Sequence, residues 1–374
     1  MKKHIHVIAF NIPYPANYGG VIDVFYKVKA LYDMGVGVIL HCFEYGREHA
    51  AELEALCEKV YYYKRRTGLL ANLSLLPYNV NSRRDPQLLA HLLEDDYPIL
   101  FEGLHTCYYI NEPRLRNRIK IYRESNIEHD YYRMLAKATS KKIEKLFFTI
   151  ESARFRRYEK VLRHANLMLV VSTTDTMQLR ERFPDSRVVH MPSFHPNEQL
   201  TVQPGKSDFI LYHGNLSVAE NELAALYLID NVFSRTQKQC VIAGMDPSPR
   251  LILAAARYAN VNIVASPSAD DMDKLIGEAQ VQLLITFQDT GLKLKLLNSL
   301  FQGRFVVVNK LMLSGSELDH LCVVADTPEE MVAACERLMK IPMTEEVIER
   351  RRSVLFPAYS NRHQAERLLQ LVFN

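Results

Sequence analysis

Two lysines stand two positions apart, Lys293 and Lys295, after the apolar run Val281–Phe287 and the turn Gln288-Asp289-Thr290-Gly291. The run reads as a strand. The lysines read as the first turn of a helix that ends at Gly303, before a further strand at Phe305–Val308. A helix start carries free N–H groups and partial positive charge, so two added cations there suit a phosphorylated ligand. The polar turn, with Asp289, Thr290 and Gly291, offers carboxylate, hydroxyl and main-chain groups beside it.

A second set lies early in the chain. Gly19-Gly20 closes a loop rich in Pro, Asn and Gly, Asn11–Gly20, between a strand at His4–Phe10 and a helix over Val21–Met34. Glycine there lets a ligand approach the backbone, although an ordinary loop turn would use the same pair. His105 sits in Gly103-Leu104-His105-Thr106, at the exit of a strand read at Pro98–Glu102. Ligands of open α/β sheets bind at strand exits, so His105 is a candidate imidazole; a hydrogen-bonded structural histidine is the plainer alternative. Asn126, Glu128 and His129 follow the strand Lys120–Glu124, and Gly214 and Asn215 follow Phe209–His213.

Other patterns carry less. Asp271-Met272-Asp273 has a spacing used for metals, but it follows Ser266-Pro267-Ser268, where carboxylates serve a helix N-terminus. Thirteen histidines form no HExxH pattern, and six cysteines show no paired CxxC spacing. Neither zinc nor a disulfide framework is expected, and the thiols suit a reducing cytosol.

The elements that must position these residues alternate strand and helix twice. The first half includes a basic helical stretch over Lys141–His164, and a helix Thr176–Phe183 capped from Thr173-Thr174-Asp175. The linker-like segment Ser193–Ser207 follows, and the alternation then restarts. The final segment, Glu345–Phe373, reads as helical with a break near Phe356-Pro357. The fold class is therefore α/β, with two tandem doubly wound Rossmann-like domains at 1–195 and 196–356, and a last helix at about 357–374 packing back on the first. A chain of 374 residues suits two such cores. Neither GxGxxG nor a P-loop is present, which disfavours a dehydrogenase or a kinase.

Composition is that of a soluble globular chain, 48% hydrophobic and 24% charged, without an apolar run long enough to span a membrane. The opening MKKHIHVIAFNIPYP reads as a first strand and not as a signal peptide. Net charge is +3, but residues 1–195 hold 29 basic against 22 acidic side chains and the remainder 17 against 21. Residues 114–163 alone hold 15 against 6. That excess serves either as solvated helix faces or as a patch for anionic lipid headgroups or a phosphorylated acceptor; no nucleic-acid motif accompanies it.

Nearly the whole chain resembles a GT-B glycosyltransferase of the retaining family 4 type. The resemblance rests on Pro15 to Gly20, SNIEHDYYRMLA, ESARFRRYEKVLRHANLMLVVSTTD, YHGNLSVAENELA and, most specifically, DTGLKLKLLNSLFQGRFVVVN. It implies a GT-B fold whose domains face a cleft, and transfer of a hexosyl group, as by a mannosyltransferase, from a nucleoside diphosphate sugar to a glycan or lipid-linked acceptor in polysaccharide biosynthesis. It also implies a cytoplasmic enzyme without a metal or other cofactor, and the basic first half offers it peripheral contact at the inner membrane face. Lys293, favoured slightly over Lys295, would meet the diphosphate, and Gly19 and Gly20 would approach it. Gly214, Asn215, Asp289, Thr290, Gly291 and Asn298 would line the donor. His105 would orient and stabilise charge at the reactive carbon, with Asn126, Glu128 and His129 on the acceptor side. The pattern departs from the family at Thr290 and Asn298, where two glutamates eight positions apart are usual, and in the loop from Gly214 to Asn221, which lacks the usual basic residue. A nucleotide-sugar 2-epimerase on the same fold and a non-catalytic glycan- or partner-binding scaffold are the rival readings.

Overall fold

Short apolar strands with both faces to cover demand helices on either side, and the chain meets that demand twice. The computed structural model describes residues 2–68, 74–139, 141–288 and 293–374. They divide into two compact units, 2–196 with 359–374 and 197–288 with 293–358.

The first unit holds seven parallel strands: β1 (His4–Ala9), β2 (Gly37–Glu44), β3 (Lys59–Lys64), β4 (Ile99–Glu102), β5 (Lys120–Glu124), β6 (Leu167–Val170) and β7 (Arg187–His190). Their order is β3-β2-β1-β4-β5-β6-β7. The winding reverses between β1 and β4, which pair through His6↔Ile99, Val7↔Leu100 and Ile8↔Phe101. Val24, Val28 and Leu31 of the helix Gly19–Asp33 share one core with Ile5 and Val7 of β1 and with Ala365, Leu368 and Val372 of the helix Asn361–Phe373. Ile8, Phe101 and Tyr122 join Leu88, Leu92 and Phe155 in another.

Ionised groups are built into this unit. Asp23 accepts from Lys27 Nζ at 2.9 Å, from Arg123 Nε and Nη2 at 3.0 Å each, and from Phe194 N at 2.8 Å. Lys27 also donates to Glu102 at 2.7 Å, and Arg123 to the Met191 and Pro192 carbonyls at 2.6 and 3.0 Å. Burial would raise the Asp23 pKa, but Arg123 and Lys27 overcome it and hold the carboxyl well below its usual range.

The second unit holds six parallel strands: β8 (Phe209–His213), β9 (Gln239–Gly244), β10 (Val261–Ala265), β11 (Val281–Leu284), β12 (Phe305–Val308) and β13 (Val323–Val324). The order β10-β9-β8-β11-β12-β13 puts the reversal between β8 and β11. Its core gathers Ile210, Tyr212, Leu228, Leu283, Val307 and Met331.

Several expected boundaries move. The first helix opens at Gly19, so both glycines lie within its first turn and not in the loop before it. The helix over 173–182 is capped by Ser172, whose oxygen accepts from Asp175 N at 3.2 Å, and not from Thr173-Thr174-Asp175. The basic stretch is an α-helix over Lys142–Tyr158 that tightens into a 3-10 helix over Glu159–His164. β11 stops at Leu284, three residues short of Phe287. Lys293 is the N-cap of the helix Leu294–Gln302, leaving Lys295 as the lysine of its first turn. The helix Glu345–Tyr359 keeps Pro357 inside its last turn, and the break falls at Ser360, which caps the next helix through His363 N. Two four-residue helices, Tyr78–Asn81 and Lys310–Leu313, are too short to leave a periodic trace.

Candidate functional site

In open parallel sheets the crevice lies beyond the strand ends, where the strand order reverses. The structure puts the exits of β8 and β11 there in the second unit, and those of β1 and β4 in the first.

In the second unit the loop after β8 is organised by asparagines. Asn215 Oδ1 accepts from Ser217 N at 3.1 Å and Oγ at 2.6 Å, the local turn that a short amide side chain favours. Asn221 Nδ2 donates to the Asn215 carbonyl at 2.9 Å, and Asn221 Oδ1 accepts from Lys295 Nζ at 3.0 Å. A Cβ on Gly214 would stand 3.3 Å from the Asn221 side chain, so glycine permits this packing. Lys295 Nζ also lies 5.2 Å from the centroid of the Tyr212 ring, whose hydroxyl donates to the Asn221 carbonyl.

These contacts aim a lysine without neutralising it. Burial pushes the Lys295 amine down to about 8, with Glu220 acting against the shift and Lys293 adding to it. Among the described residues no carboxylate pairs with Lys295, and the first turn of its helix holds no acidic residue. The N-cap Lys293 makes no side-chain capping bond. The helix start thus presents N–H groups and a held ammonium, the arrangement that receives an anion. Nearby His213 is pushed down to about 3 by burial and by Lys295, so it is a neutral partner of Ser299 Oγ at 2.9 Å.

The exit of β11 is pinned from two sides. Thr286 Oγ1 donates to Glu220, and Phe287 N donates to the same carboxylate at 3.3 Å. Thr286 N donates to Asn309 Oδ1 at 3.2 Å, and Asn309 returns a bond to the Thr286 carbonyl at 2.8 Å. Asn298 Oδ1 already accepts from Asn197 Nδ2 at 2.8 Å, and Asn197 Oδ1 accepts from Gln302 at 2.8 Å. Asp289, Thr290 and Gly291 lie outside the described residues.

In the first unit Phe10 joins the glycine turn to His105. A Cβ on Gly20 would come within 2.6 Å of Phe10 Cζ, and the Phe10 and His105 rings are 6.3 Å apart. His105 Nε2 lies 3.3 Å from Glu128 Oε2 but outside hydrogen-bond geometry, and the ring meets Phe155 edge-on at 5.5 Å. The imidazole therefore has one unsatisfied buried nitrogen facing a carboxylate. Arg83 donates to the Phe10 carbonyl at 2.9 Å and to the Asn79 carbonyl at 2.7 Å, and burial pushes its guanidinium down to about 9. Arg47 braces the loop before the glycines through the Ile12 and Pro15 carbonyls at 3.0 and 2.8 Å and through Asn17.

The acceptor-side residues separate. Glu128 joins His105, whereas His129 stands 3.4 Å from Asp130 and 3.5 Å from Glu159, which also pairs with Arg182. Asn126 is half-buried just before the helix Glu128–Ala138. Below them Glu124 accepts from the Tyr122 hydroxyl, and burial pushes its carboxyl well above the usual range. Asp271 serves its helix start: its N–H donates to Ser268 Oγ at 3.1 Å. Among the described residues no group of three or more His, Cys, Asp or Glu is placed to hold a metal ion, and all six cysteines are free.

Asn221, Tyr212, Arg47 and Arg83 escaped the sequence reading. Each acts through partners far along the chain, and only the missing basic residue between Gly214 and Asn221 marked that loop as unusual.

Residues 207–340 match the family model of glycosyl transferases group 1. An uncharacterized 44.6 kDa protein in the cps region of Klebsiella pneumoniae is 24% identical over 340 residues, 84% of this chain and 85% of the relative. Among solved structures, HepE of Anabaena, in complex with UDP and glucose, superposes with a TM-score of 0.66 at 10% identity, covering 99% of each chain. A mutant TarM of S. aureus, in complex with UDP, alpha-GlcNAc-glycerol and fondaparinux, gives 0.67 at 9% identity over 100% of both chains. The fold is GT-B.

Proposed function

Taking residues 207–340 as a group 1 glycosyl transferase domain on a GT-B fold, we propose that this chain transfers a hexosyl group from a nucleoside diphosphate sugar to a glycan or lipid-linked acceptor. The observation that carries the reading is Lys295, held by Asn221 above Tyr212 at a helix start beyond the β8/β11 reversal. Departure of a nucleoside diphosphate breaks the bond between the sugar carbon and the β-phosphate oxygen, and the electron pair leaves on the phosphate. An ammonium and preorganised N–H groups stabilise that charge as it grows, without a metal in the step. Lys293, Gly214 and Asn215 stand on the same loops and complete the donor side. The transferred sugar would retain its configuration at the reactive carbon.

UDP in the HepE and TarM complexes supports a uridine nucleotide as the first to test, and the Klebsiella cps-region relative supports a role in polysaccharide synthesis. Calorimetry with UDP and GDP is the test. Wild type should bind at least one, and the double substitution Lys293→Ala with Lys295→Ala should remove the heat of binding. Undiminished affinity in that variant would sink the assignment. Turnover should persist in EDTA, and NMR of the product anomeric proton reads retention directly. A changed sugar released from donor alone, without acceptor, would instead mark an epimerase.

A further inference from the structure

The helix Lys142–Tyr158 is apolar on the side that a surface helix normally gives to water. Its inner side is formed by Phe148, Glu151 and Phe155, of which the last two are buried. Its outer side carries Ile143, 86% exposed, Leu146, 62%, Phe147, 37%, and Ile150, 43%. Spacings of three, one and three residues put these four on one stripe about 100° wide, opposite the buried residues. The next positions along the stripe are Arg154 and Arg157. Leu75, 79% exposed, lines the same groove as those two arginines. Its segment is tied to the helix by Tyr78 N, which donates to Glu151 Oε2 at 2.8 Å.

The stripe is edged by cations. Lys142, Lys145 and Arg156 flank it and are exposed. Glu144 is engaged by Lys141 at 2.8 Å, Glu151 by Arg154 at 2.7 Å and Asp130 by Arg133 at 2.8 Å. Among the described residues Lys142, Lys145, Arg156 and Arg157 have no carboxylate within ion-pair distance. Residues 133–163 hold ten basic and three acidic side chains.

We propose that this outer face docks on an anionic phospholipid bilayer, with Ile143, Leu146, Phe147 and Ile150 entering the headgroup–acyl boundary and the flanking lysines and arginines meeting lipid phosphates. Apolar side chains on one face beside unpaired cations are the pattern of a helix that lies in the interface plane. A second copy of the chain fits worse, because the same face on both partners opposes its own cations. Nucleic acid would meet the cations but leave two turns of aliphatic side chain in water. The surface would hold the protein where a lipid-linked acceptor resides, so it extends the reading above. Its test uses no nucleotide, so either reading can fail alone.

The chain contains no tryptophan, which makes a single introduced one a clean reporter. Full-length protein carrying Phe147→Trp should show blue-shifted emission with vesicles of phosphatidylcholine and phosphatidylglycerol, and none with phosphatidylcholine alone. Leu253→Trp, at a position 71% exposed in the other unit, should not shift in either case. Co-sedimentation with the anionic vesicles should fall at least about tenfold in Lys142→Glu with Lys145→Glu, and comparably in Ile143→Ser with Ile150→Ser. High salt should release the wild type. All these positions are exposed, so melting temperatures should match the wild type and separate lost docking from lost folding. Failure to sediment, equal binding to neutral vesicles, or a concentration-dependent oligomer that Ile143→Ser dissolves would each overturn the proposal.

Discussion

The two units share parallel sheets and strand reversals, yet they fill the ground near those reversals differently. In the first, charge is internal and mutually satisfied: Asp23, Lys27, Glu102 and Arg123 neutralise one another out of water. In the second, the buried neighbours are neutral, His213 with Ser299 and Tyr212 with Asn221, and the ammonium of Lys295 is held by an amide. A closed ion network stabilises position, because each charge left alone would be costly. An ammonium held by a neutral oxygen keeps its charge for a ligand. The contrast predicts that charge changes in the first unit act on stability and those in the second act on binding.

The largest effect should come from Asp23→Asn, which leaves Arg123 and Lys27 short of a carboxylate. A loss of about 3–5 kcal/mol is expected in urea unfolding. The folded carboxyl titrates below its unfolded value, so its contribution is present above about pH 4 and is lost as pH falls toward the folded value. A variant as stable as wild type would show that the network does not hold the unit.

Lys295→Met should do the reverse. A hydrogen bond to a charged group contributes about 1.5–3 kcal/mol, so nucleoside diphosphate affinity should drop about tenfold to a hundredfold in calorimetry while unfolding is barely changed. If stability falls and affinity does not, the two regions are not different in kind.

Gly20→Ala tests the contact between the glycine turn and Phe10. Its Cβ would overlap the ring, and overpacking of that sort costs about 1–3 kcal/mol. Phe10→Leu in the same chain should recover part of the loss, read by thermal melts. The smallest effect is the pH profile: diphosphate affinity should weaken as pH rises through about 8, where Lys295 loses its proton, and Lys295→Arg should flatten the profile.

Much of the fold was legible because strand and helix leave local periodicities. Strands at 120–124, 209–213 and 305–308 and the helix at 269–278 fall where alternation and end signals put them. Boundaries failed where capping decided them. Ser172 and Ser360 outcompeted neighbouring polar residues and a proline as punctuation, since a cap depends on which hydroxyl reaches the N3 amide. In the site, strand exits pointed to Gly20, His105, Gly214 and Lys295, because a parallel winding forces those exits toward its reversal. The sequence reading favoured Lys293 slightly over Lys295 and grouped Glu128 with His129, whose contacts part in the folded chain.

What the amino-acid order carried alone is the repeated β/α winding and the loops that end at the reversals, both consequences of patterns within about twenty residues. What the folded chain decided is which side chains meet across those loops. Asn221 and Lys295 are 74 positions apart, and Asp23 and Arg123 are 100 apart. Such pairs depend on strand register and on the side-chain direction of each helix turn, and neither is written in any short stretch of sequence.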